Sequence, residues 1–94
     1  MEKKRLLFIP VSSSEGIGEY MRSLSFAHYL DECFPDRLDI HFLLNKHTNY
    51  ALDCPFDTTL IEQSATKETR KVNQLIEAFK PNLVVFDCAG RAAQ

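Results

Sequence analysis

The sequence predicts an α/β fold built on an open parallel sheet, and three features indicate it. Two continuous apolar runs, residues 6–9 and 83–86, have the pattern of strands that are covered on both faces. Apolar residues recur at helical spacing after the first run and before the second. A short serine- and glycine-rich loop, residues 12–18, separates the first run from its helix. Strand, loop and amphipathic helix in this order are typical of the first half of a βα unit.

In the first half of the chain, we expect a strand over residues 6–9 that stops at Pro10, because proline cannot donate a hydrogen bond to a sheet. The basic residues Lys3, Lys4 and Arg5 are interpreted as a solvated segment before this strand. The apolar spacing predicts a helix over residues 18–33 that ends at the Phe34-Pro35 step. A second strand is predicted over residues 38–44, followed by one or two helical turns within residues 46–52.

In the second half, β-branched residues predict a short third strand over residues 58–61. Thr66 is the predicted N-cap of a second helix, with Glu68 in its first turn. That helix must end before Pro81, and the fourth strand then covers residues 83–86.

Right-handed crossovers between these elements give a Rossmann-like sheet with the strand order 3-2-1-4. The first and fourth strands are then neighbours, and the segments that follow them meet at the carboxyl edge, where such sheets bind ligands. The fourth strand would be an uncovered outer strand of the sheet. We therefore expect residues 1–94 to form a single partial domain, which is either the beginning of a longer protein or a chain that pairs this strand with another copy.

Composition narrows the class of protein. A net charge of −2 and a pI near 5.9 do not indicate a basic surface that would bind nucleic acid. The first apolar run is too short for a membrane span. Three widely separated cysteines, Cys33, Cys54 and Cys88, fit reduced and mostly buried thiols in a cytoplasmic protein. The three histidines, His28, His41 and His47, have no metal-ligand spacing and are predicted to be surface residues. No metal and no cofactor are implied.

The candidate site residues come from the two loops at the carboxyl edge. Serine hydroxyls and backbone N–H groups can bind a phosphate or a sugar hydroxyl, and glycine permits close backbone approach or positive φ. A carboxylate or guanidinium near a helix start can act on such a ligand or orient it. The residues concerned are Ser12, Ser13, Ser14, Gly16, Gly18, Glu19 and Arg22 on the first loop and helix, and Asp87 and Arg91 after the fourth strand.

Two stretches resemble the amino-terminal domain of GT-B glycosyltransferases. Gly16-x-Gly18, followed by Arg22, is similar to the Gly-x-Gly-His-x-x-Arg pattern after the first strand of that family, and residues 80–87 resemble its Lys-Pro-Asp-Val-Val strand. The likeness is greatest to the N-acetylglucosaminyltransferase that makes lipid II and to the nucleotide-sugar hydrolase of pseudaminic acid synthesis. It covers the whole chain in layout but only about twenty residues in motif.

The resemblance implies the acceptor-side half of a sugar transferase, whose nucleotide-sugar donor binds mainly in a second, C-terminal domain. It assigns acceptor contacts to the candidate residues above and the catalytic base to position 19. The family has histidine at that position and this chain has Glu19, a carboxylate that can deprotonate an acceptor hydroxyl if partial burial raises its pKa. We expect the chain by itself to lack turnover.

Two other functions remain open. The loop also resembles the Thr-Gly-x-x-x-Gly-Ile-Gly loop of short-chain dehydrogenases, and Asp87-Cys88-Ala89-Gly90 resembles their Asn-Asn-Ala-Gly. That resemblance implies NAD(P) binding, but Met21 replaces the third glycine of the dinucleotide fingerprint, and Asn45 stands where a ribose-binding acid is expected. The third possibility is a non-catalytic α/β module that binds a small anion or a partner chain.

Overall fold

The computed structural model of the protein describes residues 3–10, 18–48, 51–62 and 68–87. Four parallel strands form one sheet in the order β3-β2-β1-β4, as the sequence predicted. The fold is therefore an α/β, Rossmann-like open sheet. The elements are β1 (Lys4–Pro10), α1 (Gly18–Cys33), β2 (Leu38–Asn45), β3 (Asp57–Ile61), α2 (Thr69–Phe79) and β4 (Leu83–Asp87).

β1 begins two residues earlier than predicted, so Lys4 and Arg5 belong to the strand and do not merely precede it. The Lys4 amide donates to the Arg37 carbonyl at 3.0 Å, which continues the pairing with β2. On the other side, the Arg5 amide donates to Asn82 Oδ1 at 2.8 Å, and the Asn82 amide donates to the Arg5 carbonyl at 2.7 Å. Hydrogen bonds to both neighbours extend the strand beyond its apolar run.

The helix ends follow the local chemistry of the chain. α1 has the predicted bounds, but α2 begins at Thr69 with Glu68 at its N-cap, which makes no side-chain capping hydrogen bond. The prediction of Thr66 as N-cap was therefore wrong, and Thr66 itself lies outside the described residues. Lys80 ends α2 in the left-handed region, with φ of 53°, and its amide donates to the Ile76 carbonyl at 2.8 Å. Pro81 then prevents continuation of the helix.

The two helices lie on opposite faces of the sheet, and each face has its own apolar core. On the α1 face, the Phe8 and Phe42 rings stack with centroids 5.1 Å apart. The α1-face core contains Leu6, Phe8, Tyr20, Ala27, Ile40, Phe42, Leu44 and Ala51, and the α2-face core contains Leu7, Ile9, Leu43, Ile61 and Val72. Alternate residues of β1 thus enter different cores, which is why its apolar run is continuous.

Three further expectations need correction. Within residues 46–52 the described part forms hydrogen-bonded turns and not helix, with the Thr48 amide donating to the Asn45 carbonyl at 3.1 Å. Cys33 is exposed and Cys54 is half-buried, both as free thiols, whereas Cys88 lies outside the described residues. His28 and His47 are exposed as predicted, but His41 is half-buried because α2 covers its face of β2.

Candidate functional site

The carboxyl ends of β1 and β4 lie side by side. Pro10, the last residue of β1, is the register partner of Asp87, the last residue of β4. The chain leaves both strands at this edge of the sheet, where open α/β sheets bind ligands. Several predicted contacts fall outside the described residues: Ser12, Ser13, Ser14, Gly16 and Arg91, together with the Asp87 side chain.

The first turn of α1 supplies the described part of the candidate site. Gly18 is the first helical residue, Glu19 is half-buried, and Arg22 lies one turn later on the helix surface. Residues three apart on a helix are neighbours, so the Glu19 carboxylate and the Arg22 guanidinium lie on one side of α1. The start of α1 therefore combines a carboxylate, a guanidinium and the amino end of a helix.

Gly18 does not have the role that its residue type suggested. A Cβ atom placed on Gly18 would meet no described atom within 4 Å, and its φ is not in the left-handed region. Neither close packing nor backbone strain within the described chain requires glycine here. No residue of the described ranges fills the space beside Gly18.

A cavity of about 340 Å³ lies between α1 and β4. Arg22 and Ser23 supply its polar groups, and Phe26, Val85 and Phe86 supply its apolar walls. A concave site with mainly apolar walls and a few polar groups is the usual form of a small-molecule site. The candidate site thus continues from the first turn of α1 into this cavity.

Ser23 is the polar group in this cavity that lacks a partner. Its side chain is 3 % exposed, and its Oγ makes no hydrogen bond to any residue that the structure describes. Leaving a buried hydroxyl unpaired costs on the order of 1–3 kcal/mol, so such groups are uncommon in folded proteins. Ser23 lines the cavity, but its Oγ atom is itself shielded from solvent.

Sequence reasoning missed Ser23 although a signal was present. Tyr20, Ser23 and Ala27 are spaced by three and four residues, and all three are buried. A serine in phase with the apolar face of a helix is a buried hydroxyl in need of a partner. The apolar spacing also fits a helical face that runs through Leu24, which is half-buried, and that face does not include Ser23.

A second polar cluster occupies the carboxyl ends of β2 and β3, and sequence reasoning also missed it. Lys46 Nζ forms an ion pair with Glu62 Oε1, and His47 Nε2 lies 3.5 Å from Glu62 Oε2. The hydrogen bond from Lys46 lowers the pKa of the Glu62 carboxyl, and His47 contributes in the same direction. These side chains are exposed and already paired with one another, so we interpret the cluster as a structural link between the ends of β2 and β3.

His41 belongs to neither site. Its Nε2 lies 2.7 Å from Thr59 Oγ1, and its ring centroid is 5.1 Å from that of Phe79. Burial lowers the pKa of His41, whereas the nearby carboxylates of Asp57 and Asp39 act to raise it. The surrounding contacts give this histidine a structural role between the sheet and α2.

Within the described ranges, neither helix is long and apolar enough to cross a membrane. The comparisons with known proteins leave the identity of the chain open. Neither the models of known protein families, nor the curated proteins, nor the solved structures contain a match to this chain.

Proposed function

We propose that this chain is the acceptor-binding half of a GT-B-type glycosyltransferase, which transfers a sugar from a nucleotide-sugar to an acceptor hydroxyl. The observation that carries the proposal is the cavity between α1 and β4, which Arg22 and Ser23 line one turn from Glu19. A hydroxyl-rich ligand in this cavity would lie beside Ser23, and the Arg22 guanidinium would attract an anionic group on the same ligand. The motif Gly16-x-Gly18 with Arg22 supports the same assignment.

In this proposal Glu19 is the catalytic base. It is half-buried in the first turn of α1, at the carboxyl edge where the acceptor would bind. A base must come within hydrogen-bond reach of the acceptor hydroxyl, either directly or through one water. The donor site lies mainly in a second domain, and Ser12, Ser13, Ser14, Gly16, Asp87 and Arg91 remain acceptor contacts that the sequence predicts.

Alternative functions have weaker support. For a dinucleotide-binding protein, the residue at the end of β2 must be free to hold the ribose hydroxyls. Here that residue is Asn45, and its Oδ1 accepts a hydrogen bond from the His47 amide at 2.9 Å. A non-catalytic module requires no particular residues, so the pattern Gly16-x-Gly18 with Arg22 gives it no specific support.

An amide-resolved NMR titration of the 94-residue chain tests the ligand class. We expect glucose 1-phosphate, which carries a phosphate and several hydroxyls, to shift the amides of Arg22, Ser23, Phe26 and Val85. Uncharged glucose should bind more weakly, and UDP or UDP-N-acetylglucosamine should have little effect. Shifts at the Gly16 and Gly18 amides that appear with NAD or NADP alone would instead establish the dehydrogenase-like alternative.

Two variants test whether glucose 1-phosphate binds at Ser23 and Arg22. Ser23→Ala and Arg22→Gln should each abolish the glucose 1-phosphate shifts. Arg70→Gln is the matched control, because Arg70 is an exposed cation on α2, on the opposite face of the sheet. If Arg70→Gln weakens binding as much as Arg22→Gln does, the phosphate is attracted by general charge and the proposed site is wrong.

The role of Glu19 is tested separately, by Glu19→Gln in a protein that includes the donor domain. We expect sugar transfer to fall by about 10²–10⁴-fold, the usual contribution of a general base, with acceptor affinity retained. Unchanged transfer would remove Glu19 from the base role. Because the titration of the acceptor site does not depend on turnover, the two results can be separated.

A further inference from the structure

Within residues 3–10, 18–48, 51–62 and 68–87, β4 is an edge strand that lacks the usual protection. Among the described strands it pairs with β1 alone, and its sequence, Leu-Val-Val-Phe-Asp, contains no lysine, proline or glycine. Leu83, Val84 and Phe86 are 49 %, 37 % and 50 % exposed. The opposite edge differs, because β3 carries Asp57, Thr58 and Thr59. Proteins commonly shield edge strands with charges, proline or bulges, so a bare apolar edge points to a binding partner.

Apolar cavities flank β4 on both faces of the sheet. The cavity of about 340 Å³ lies on the α1 face, and another of about 480 Å³ lies on the α2 face between α2 and β4. Phe86 lines both. A small molecule would occupy one of them, whereas an added strand sends alternate side chains to both faces at once. The occupant that matches this edge is an extended polypeptide with apolar side chains in both phases.

β4 itself has that composition. Leu83 and Val85 point to the α1 face, and Val84 and Phe86 point to the α2 face, as their register partners in β1 show. We propose that β4 pairs with β4 of a second copy in an antiparallel arrangement centred on Val85, which joins two four-stranded sheets into one of eight strands. This register aligns all five residues and sets Val84 opposite Phe86 of the other copy. The interface is symmetric and closes on itself.

The charges at the strand ends favour the antiparallel direction. Asp87 ends β4, and the exposed Lys80 lies three residues before it begins. Antiparallel pairing keeps the two Asp87 residues about 13 Å apart along the strands. It also places each Asp87 near the start of β4 in the other copy, which is the end of the strand nearer Lys80. Parallel pairing in register would place the two acidic residues side by side.

The dimer goes beyond the proposed function and does not depend on what the cavity at Ser23 binds.

Sedimentation equilibrium of the full 94-residue chain over a wide concentration range tests the dimer. We expect a species of twice 10.8 kDa that dissociates on dilution. Phe86→Lys should give a monomer, whereas Leu60→Lys should leave the dimer intact, because Leu60 is a similarly exposed apolar residue on the opposite edge strand. Circular dichroism checks that both variants fold. A monomer at every concentration, or a dimer that only Leu60→Lys disrupts, would overturn the proposal.

Disulfide trapping tests the register. In a background of Cys33→Ser, Cys54→Ser and Cys88→Ser, Val85→Cys should form an interchain disulfide on mild oxidation. Leu83→Cys should not, because its two copies lie about 13 Å apart, well beyond the roughly 7 Å that a disulfide tolerates between Cα atoms. Trapping through position 83 in preference to position 85 would contradict the antiparallel pairing centred on Val85.

Discussion

The His41 imidazole and the Thr59 hydroxyl join neighbouring strands, with Nε2 and Oγ1 2.7 Å apart, beneath the ring of Phe79. Burial lowers the pKa of His41, so the folded chain holds this imidazole neutral more readily than the unfolded chain does. Protonation is therefore coupled to the opening of this part of the sheet.

The sign of the pH dependence follows from that shift. Because the folded pKa lies below the ordinary value of 6.5, the unfolded state binds more protons around and below that pH. We expect the free energy of unfolding to fall as the pH decreases through 6.5. Urea titrations across this range, repeated with His41→Gln, measure the effect. An equal decline in the variant would show that other groups are responsible.

The buried hydroxyl of Ser23 predicts a variant that is more stable and less functional. Ser23→Ala removes an unpaired polar group, so the free energy of unfolding should rise by about 1 kcal/mol. Ser25→Ala is the matched control, because Ser25 is exposed on the same helix and reports the helix propensity of alanine alone. Chemical denaturation of both variants gives the difference. A loss of stability in Ser23→Ala would mean that the hydroxyl is satisfied in the folded chain.

Thr48 is the satisfied counterpart of Ser23. It is also buried, and its Oγ1 donates to the Asn45 carbonyl at 2.8 Å. Thr48→Val keeps the shape of the side chain and removes this hydrogen bond, which should cost about 1 kcal/mol. Denaturation of this variant together with Ser23→Ala should therefore give changes of opposite sign.

Gly18→Ala separates a structural role of this glycine from a role in binding. Since the added methyl group meets no described atom, we expect stability to stay the same or to rise by roughly 0.5 kcal/mol. Glucose 1-phosphate binding, followed by the NMR shifts at Ser23, should weaken if the ligand approaches the helix start closely. A large destabilisation would instead indicate that neighbouring chain fills the space beside Gly18.

Asn82 holds the start of β4 through reciprocal hydrogen bonds with the Arg5 backbone, of 2.8 and 2.7 Å. Asn82→Ala removes one of them, the bond from the Arg5 amide to Oδ1. We expect a loss of about 1 kcal/mol and faster hydrogen exchange at Arg5 and Leu83. Exchange at Phe42, in the neighbouring strand, is the internal control and should rise only as far as global stability falls.

Sequence reasoning was most accurate where proline or periodicity limits the chain. Pro35 and Pro81 exclude helix, so the bounds of α1 and the end of α2 could be predicted, whereas the start of α2 could not. The start of β1 depends on hydrogen bonds to Arg37 and Asn82, which are distant in sequence. The burial of His41 depends on the placement of α2 over its face of the sheet, which alternation within β2 does not reveal.

The candidate site was predictable only in outline. Parallel pairing of β1 and β4 follows from topology, and so does the position of the α1 start beside them. The cavity depends on how far α1 stands from an edge strand, and Ser23 and Phe26 line the space between them. Local sequence patterns do not specify this distance between the helix and the strand.

The hydrogen bonds that tie Arg5 to Asn82 and to the Phe79 carbonyl all lie at the amino edge of the sheet, opposite the candidate site. β1 and β4 are thus tied together at their amino ends, and the candidate site lies at their carboxyl ends. Substitutions at the carboxyl edge should then alter ligand choice at little cost to folding, which makes this half of the molecule a practical starting point for redesigned specificity.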